Sequence, residues 1–179
     1  MRSLDDPQED ATTSSFDEDL STLAIATADA RDSAVDQAVQ DLLALVRDHL
    51  GMDVVFVSEF VDGFRVMRQG CAGQVPAPLR DALMRRREPR PLEETLCQRL
   101  MDGRLPRVIN NLPALKAGLA LPDQGFPIGS YLGVPVSRSD GSLYGALCCL
   151  TLQPNSGFGD LELKRLQMAA RLVARLLHL

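Results

Sequence analysis

Cysteine and histidine are the side chains with the widest chemical reach, and this 179-residue chain carries four of the first and two of the second. Cys71, Cys97, Cys148 and Cys149 lack the paired spacing of a zinc site. Cys148 and Cys149 are neighbours in a segment that reads as a strand, so their side chains leave on opposite faces and do not chelate one ion together. No metal or cofactor site is expected. A thiol reacts as its thiolate, which needs a nearby base, a cation or a helix N-terminus. Arg99 and Arg104 are sequence neighbours of Cys97 but accept no proton, and His49 and His178 lie near the ends of the expected terminal helices. Cys97 is expected as a packing thiol, with a redox or ligand-contacting role as the alternative.

Two other constellations carry less chemistry. Arg85, Arg86, Arg87 and Arg90 form a basic run that suits a phosphate or an acidic partner, although Glu88, Glu93 and Glu94 beside it suit a solvated loop equally well. Gly129 and Gly133 sit within a strand pattern rather than in a glycine-rich turn before a helix, so no dinucleotide or P-loop site is expected. A small-molecule pocket requires an apolar wall with a few polar groups aimed inward. The residues expected to supply it are Phe56, Ser58, Arg65, Cys97, Asn110, Asn111, Ser130 and Tyr131. Their faces depend on strand phase, because a slip of one residue moves every strand side chain to the other side.

The elements that must position these groups follow from periodicity. Residues 1–15 are acidic and Ser/Thr-rich and are expected to be disordered; 16–30 are weakly helical. Val35, Val39, Leu42, Leu43, Val46 and Leu50 recur at helical spacing, with Ser33 as the expected cap and Gly51 as the stop. Asp53–Val61 and Phe64–Gln69 are rich in β-branched and aromatic residues and flank Asp62-Gly63, a hairpin signal. Leu79–Arg87 reads as a short helix, and Leu92–Met101 as a helix opened by Pro91. Arg107–Asn110 is a short strand, and 111–128, with three prolines and two glycines, is a loop with one helical turn. Asp140-Gly141 joins two further strands, and Asp160 is expected to cap a last helix carrying Leu163, Leu166, Ala170, Val173 and Leu177.

Composition narrows the function classes. With 45% apolar and 24% charged residues the chain is an ordinary globular one, long enough for a single domain over 16–179 with its core in 33–178. A net charge of −5, no Trp and 4% aromatics argue against a nucleic-acid partner or an anionic membrane surface. No apolar run reaches the ~20 residues of a membrane span, and the acidic N-terminus is unlike a signal peptide, so the cytoplasm is expected.

The element order, together with the segments Leu50–Phe60, Glu94–Pro106 and Gly129–Val136, resembles a bacterial GAF domain over roughly residues 33–178. The likeness is to the modules found beside cyclic-di-nucleotide phosphodiesterase, diguanylate cyclase or kinase effectors. It implies an α+β fold: a central antiparallel sheet of about six strands, terminal helices on one face and a ligand pocket on the other. It further implies a sensory or regulatory module that passes a signal through its terminal helices to an effector or a second copy, not an enzyme. A homodimer would use Val35 and Val39 with Leu172 and Leu176, the last two displaced from the main stripe. The alternatives are a ligand-free dimerisation or docking scaffold and a thiol-dependent free methionine sulfoxide reductase. The reductase relatives carry cysteines at loop positions, a pattern this chain does not repeat. Bilin-binding relatives follow their cysteine with His, whereas Gln98 follows Cys97 here.

Overall fold

Both hairpins form where two residues permit a tight reversal. At Asp62 and Gly63 the backbone is left-handed, with φ of 52° and 80°, as a two-residue turn matched to strand twist requires. It joins β1 (Val54–Val61) to β2 (Phe64–Ala72). Asp140 accepts the Ser142 N–H at 2.9 Å and Gly141 has φ of 83°, which joins β5 (Ser130–Ser137) to β6 (Leu143–Thr151). The computed structural model describes Phe16, Asp19, Leu20, residues 32–85 and residues 88–179. The expected disorder of 1–15, most of the weak helix of 16–30, and Arg86 and Arg87 of the basic run lie outside the described residues.

Two short strands complete a six-stranded antiparallel sheet: β3 (Arg90–Pro91) beside β2 and β4 (Val108–Ile109) beside β5. The order is β3-β2-β1-β6-β5-β4, so the two hairpins meet at β1 and β6 in the centre. Helices α1 (Asp32–Leu50) and α5 (Asp160–Leu176) cover one face. The opposite face is covered by α2 (Ala77–Arg85), a 3₁₀ turn (Leu92–Glu94), α3 (Leu96–Met101), α4 (Leu112–Lys116) and the segment that follows it. The α+β architecture expected from the sequence is the one observed.

Several local expectations change. Ser33 lies inside α1, which already includes Asp32. The helix expected over Leu92–Met101 is broken at Thr95, whose backbone is extended and whose Oγ1 accepts the Gln98 N–H at 3.3 Å. A side chain able to satisfy one of the helix's unpaired N–H groups starts α3 there, after a separate 3₁₀ turn. Gly159, not Asp160, is the N-cap of α5, with its N–H donated to Glu162. Leu172 and Leu176 do not form a second outward face. They are buried in the helix-side core with Val39, while Val35 packs half-buried against it. Among the described residues no helix is long and apolar enough to cross a membrane.

Candidate functional site

Alternation along the strands sends Val55, Val57 and Cys149 towards α1 and α5, and Val54, Phe56 and Cys148 to the opposite face. Strand β2 departs from this rule. The pairing of β1 with β2 runs Val57 to Gln69 and then Ser58 to Met67, leaving Arg68 as an extra residue. The bulge flips the phase. Gln69 and Cys71 face α1, where Gln69 donates to Asp36 at 2.8 Å and Cys71 accepts from Arg47 at 3.0 Å. Arg65 and Met67 line a cavity on the other face with Phe56. The bulged Arg68 turns outward and donates through Nε to Glu59 at 2.7 Å.

Helix α3 approaches this face closely because Gly133 lies beneath it. A Cβ at Gly133 would stand 2.8 Å from Leu100 Cδ2 and 3.1 Å from Cys148 Sγ, too tight for any larger residue without displacement. The close approach brings Cys97, in the first turn of α3, onto the sheet. Its Sγ lies 3.1 Å from the Tyr131 hydroxyl and accepts from the Cys148 thiol at 3.6 Å. That Cys148 hydrogen bond, the positive charge of Arg65 and the Tyr131 and Ser58 hydroxyls outweigh burial and hold the Cys97 thiol below its ordinary pKa. Burial, reinforced by Cys97, pushes Cys148 well up. Burial also raises Tyr131. Ser58 is wholly buried on the same face, with no hydrogen-bond partner of ordinary geometry.

Phe56, Arg65, Cys97 and Tyr131 thus surround one cavity of about 20 Å³, room for about one water. Leu96, Gln124, Phe126 and Ile128 separate it from an open groove of about 330 Å³ that runs under residues 121–128 towards α4. Side-chain hydrogen bonds join this covering segment to its surroundings: Arg99 of α3 donates to the Ala120 carbonyl at 3.3 Å, and Gln124 donates to the Glu94 carbonyl at 3.4 Å. Within the segment Gln124 also donates to the Pro122 carbonyl at 3.1 Å.

Three expected pocket residues serve elsewhere. Asn111 caps α4 by accepting the Ala114 N–H at 3.0 Å, because the turn after β4 needs a cap more than the cavity needs an amide. Ser130 donates to the Asn110 carbonyl at 2.7 Å and accepts the Asn155 N–H at 2.8 Å. Asn110 donates to the Phe158 carbonyl at 2.9 Å. Together they fasten β4 and β5 to the loop before α5. The sequence reading missed Thr95, Met67, Cys148, Gln124 and Phe126. Cys148 was legible from its pairing with Phe56 once β1 and β6 are neighbours. Among the described residues no group of three or more His, Cys, Asp or Glu is placed to hold a metal ion.

Residues 34–177 match the family model of the GAF domain. None of the curated proteins compared matches the chain. Among solved structures, the GAF domain of an Acinetobacter phosphoenolpyruvate-protein phosphotransferase superposes with a TM-score of 0.66 at 15% identity, covering 96% of this chain and 93% of that one. The free methionine-R-sulfoxide reductase of Neisseria meningitidis, solved with its substrate, gives 0.62 at 16% identity, covering 90% and 87%. The GAF domain of the cyanobacteriochrome TePixJ gives 0.58 at 20% identity, covering 84% and 92%. At these identities the likeness is one of fold.

Proposed function

The chain belongs to the GAF domain family, and from that premise we propose that it is a regulatory module that binds a small molecule under residues 117–128 and reports occupancy through its terminal helices, without catalysing a reaction. The observation that supports this reading most is the gathering of Arg65, Ser58, Cys97 and Tyr131 at the centre of an otherwise apolar sheet face, beneath the loop segment that covers it. Binding would favour one arrangement of the cover, and the strands would carry that bias to α5 as a population shift. An effector or a second copy would meet α5 through Leu161 and Met168, which are exposed and seven residues apart on one helix face, rather than through the buried Leu172 and Leu176.

Mass spectrometry of the purified protein under native and then denaturing conditions tests ligand binding. Extra mass lost on denaturation is the expected result; a bare protein under both conditions favours the scaffold alternative. The relay requires that a bound molecule slow hydrogen exchange in residues 161–176 as well as 117–128. A change confined to the pocket rejects it. Met168→Glu should lower the molar mass in light scattering if the helices pair two copies.

A second reading rests on Cys97 and Cys148 standing 3.6 Å apart. Two such thiols would reduce a sulfoxide to a thioether and water, ending as a disulfide that an external dithiol reopens. Turnover of free methionine sulfoxide with dithiothreitol, abolished by Cys97→Ala, would establish it over the regulatory reading. We expect none.

A further inference from the structure

Several arginines near the surface are paired with carboxylates, whereas the buried Arg65 is not. Arg47 is paired with Asp48 at 2.7 Å, Arg104 with Asp102 at 2.6 Å and Glu93 at 3.0 Å, and Arg68 with Glu59. Arg65 is only 4% exposed, yet no described carboxylate lies within ion-pair distance, and its buried Nε has no acceptor. Its guanidinium stands 6.0 Å from the centre of the Phe56 ring, at the outer limit of a cation–π contact. A buried charge without a carboxylate partner is costly, and what the cavity offers this one is the Cys97 thiol, whose acidity it raises. The Arg68 bulge nevertheless directs this one into a cavity whose lining includes no aspartate or glutamate.

From this arrangement the geometry points to a small organic monocarboxylate with an apolar body as the ligand, its carboxylate paired with Arg65 and its body lying towards the groove beneath residues 121–128. The inference rests on the reading of the chain as a small-molecule module and names the class of molecule. One guanidinium balances one negative charge, so a phosphate dianion would leave a net charge buried. The planar fork of arginine matches a carboxylate through two parallel hydrogen bonds. Tyr131 offers a hydroxyl nearby, and Met67, Phe126 and Ile128 supply the apolar wall. Gln124 and Phe126 stand between cavity and groove, so binding requires the cover to shift.

Ligand-observed NMR titration of the whole chain with 4-methylpentanoate, phenylacetate and benzoate, each against its uncharged amide and against inorganic phosphate, tests the assignment. The expected result is that at least one carboxylate binds at least tenfold more tightly than its amide, that Arg65→Gln removes this preference, and that Arg65→Lys retains part of it. Should Arg65→Gln fail to fold, the carboxylate-to-amide ratio on the unaltered protein decides. Equal binding of acid and amide, or binding of phosphate in place of the carboxylates, overturns the proposal. So does absence of binding by every carboxylate at 10 mM while native mass spectra retain some other molecule; the regulatory reading then survives. No binding together with bare native spectra overturns both.

Discussion

One face of the central sheet meets α1 and α5 through Val55, Val57, Leu132, Val134, Val136 and Leu147, all fully buried. The other face, built from alternate residues of the same strands, buries Arg65, Ser58, Cys148 and Tyr131 alongside its apolar side chains. The first is a packed interior in which shape and apolar area decide stability. The second holds polar and ionisable groups that weaken packing, under a loop cover rather than two long helices. The same backbone therefore offers a rigid platform on one side and a chemically furnished cavity on the other, and substitutions on the two sides should behave oppositely.

The largest expected effect is on the packed side. Leu147→Ala should cost about 3 kcal/mol in urea denaturation, the usual size of a buried leucine deletion, with no change in ligand preference. A cost below about 1 kcal/mol would mean that the helix face is loosely packed.

The thiols compare the faces through pH. Burial raises Cys149 far above its ordinary value of 9.0, so the native state keeps a proton that the unfolded chain releases. The stabilisation is complete below pH 9 and falls by about 1.4 kcal/mol per unit above it. On the cavity side Cys148 contributes in the same direction, whereas Cys97, shifted down, contributes stability that is present above pH 9 and lost as pH falls. The two act in different windows: Cys97 adds stability as pH rises from about 6 to 9, and Cys148 joins Cys149 in the decline above 9. Cys149→Ala and Cys97→Ala with Cys148→Ala should therefore flatten the decline in Tm between pH 9 and 10 to a similar extent, and only the double variant should also change the slope between pH 6 and 9. Flattening by Cys149→Ala alone would show that Cys148 is not held protonated in the folded protein.

Arg65→Met replaces a buried charge that no described carboxylate neutralises by an apolar side chain of similar length, and should leave stability unchanged or raise it by about 1 kcal/mol. A loss above about 2 kcal/mol would make Arg65 a structural group. The smallest effect belongs to Asn111→Ala, which removes the cap of α4 and should cost about 1 kcal/mol or less. Faster hydrogen exchange in residues 112–117, with β5 and β6 unchanged, is the measurement that checks it.

What the sequence determined by itself was local. Asp62-Gly63 and Asp140-Gly141 fix both hairpins because the turn conformation depends on two residues. The apolar stripes of α1 and α5 mark a helix face because burial repeats every three or four residues. The opposite facing of Cys148 and Cys149 follows from adjacency in a strand. Phe56, Arg65, Cys97 and Tyr131 were legible as cavity residues on type and position, whereas Asn110, Asn111 and Ser130 were not separable from them, since the same polar groups serve caps and loop ties. Only the tertiary structure decided the rest. The phase of β2 turns on where β1 lets one residue slip, and extending the alternation from Gln69 and Cys71 back to Arg65 would place the guanidinium against α1. Whether Cys97 meets Cys148 depends on Gly133 letting α3 descend onto the sheet. Leu172 and Leu176 turn inward because the helix-side core that α5 joins is wider than the one stripe that its periodicity marks. Each of these is set by contacts between segments far apart in the chain, which periodicity does not encode.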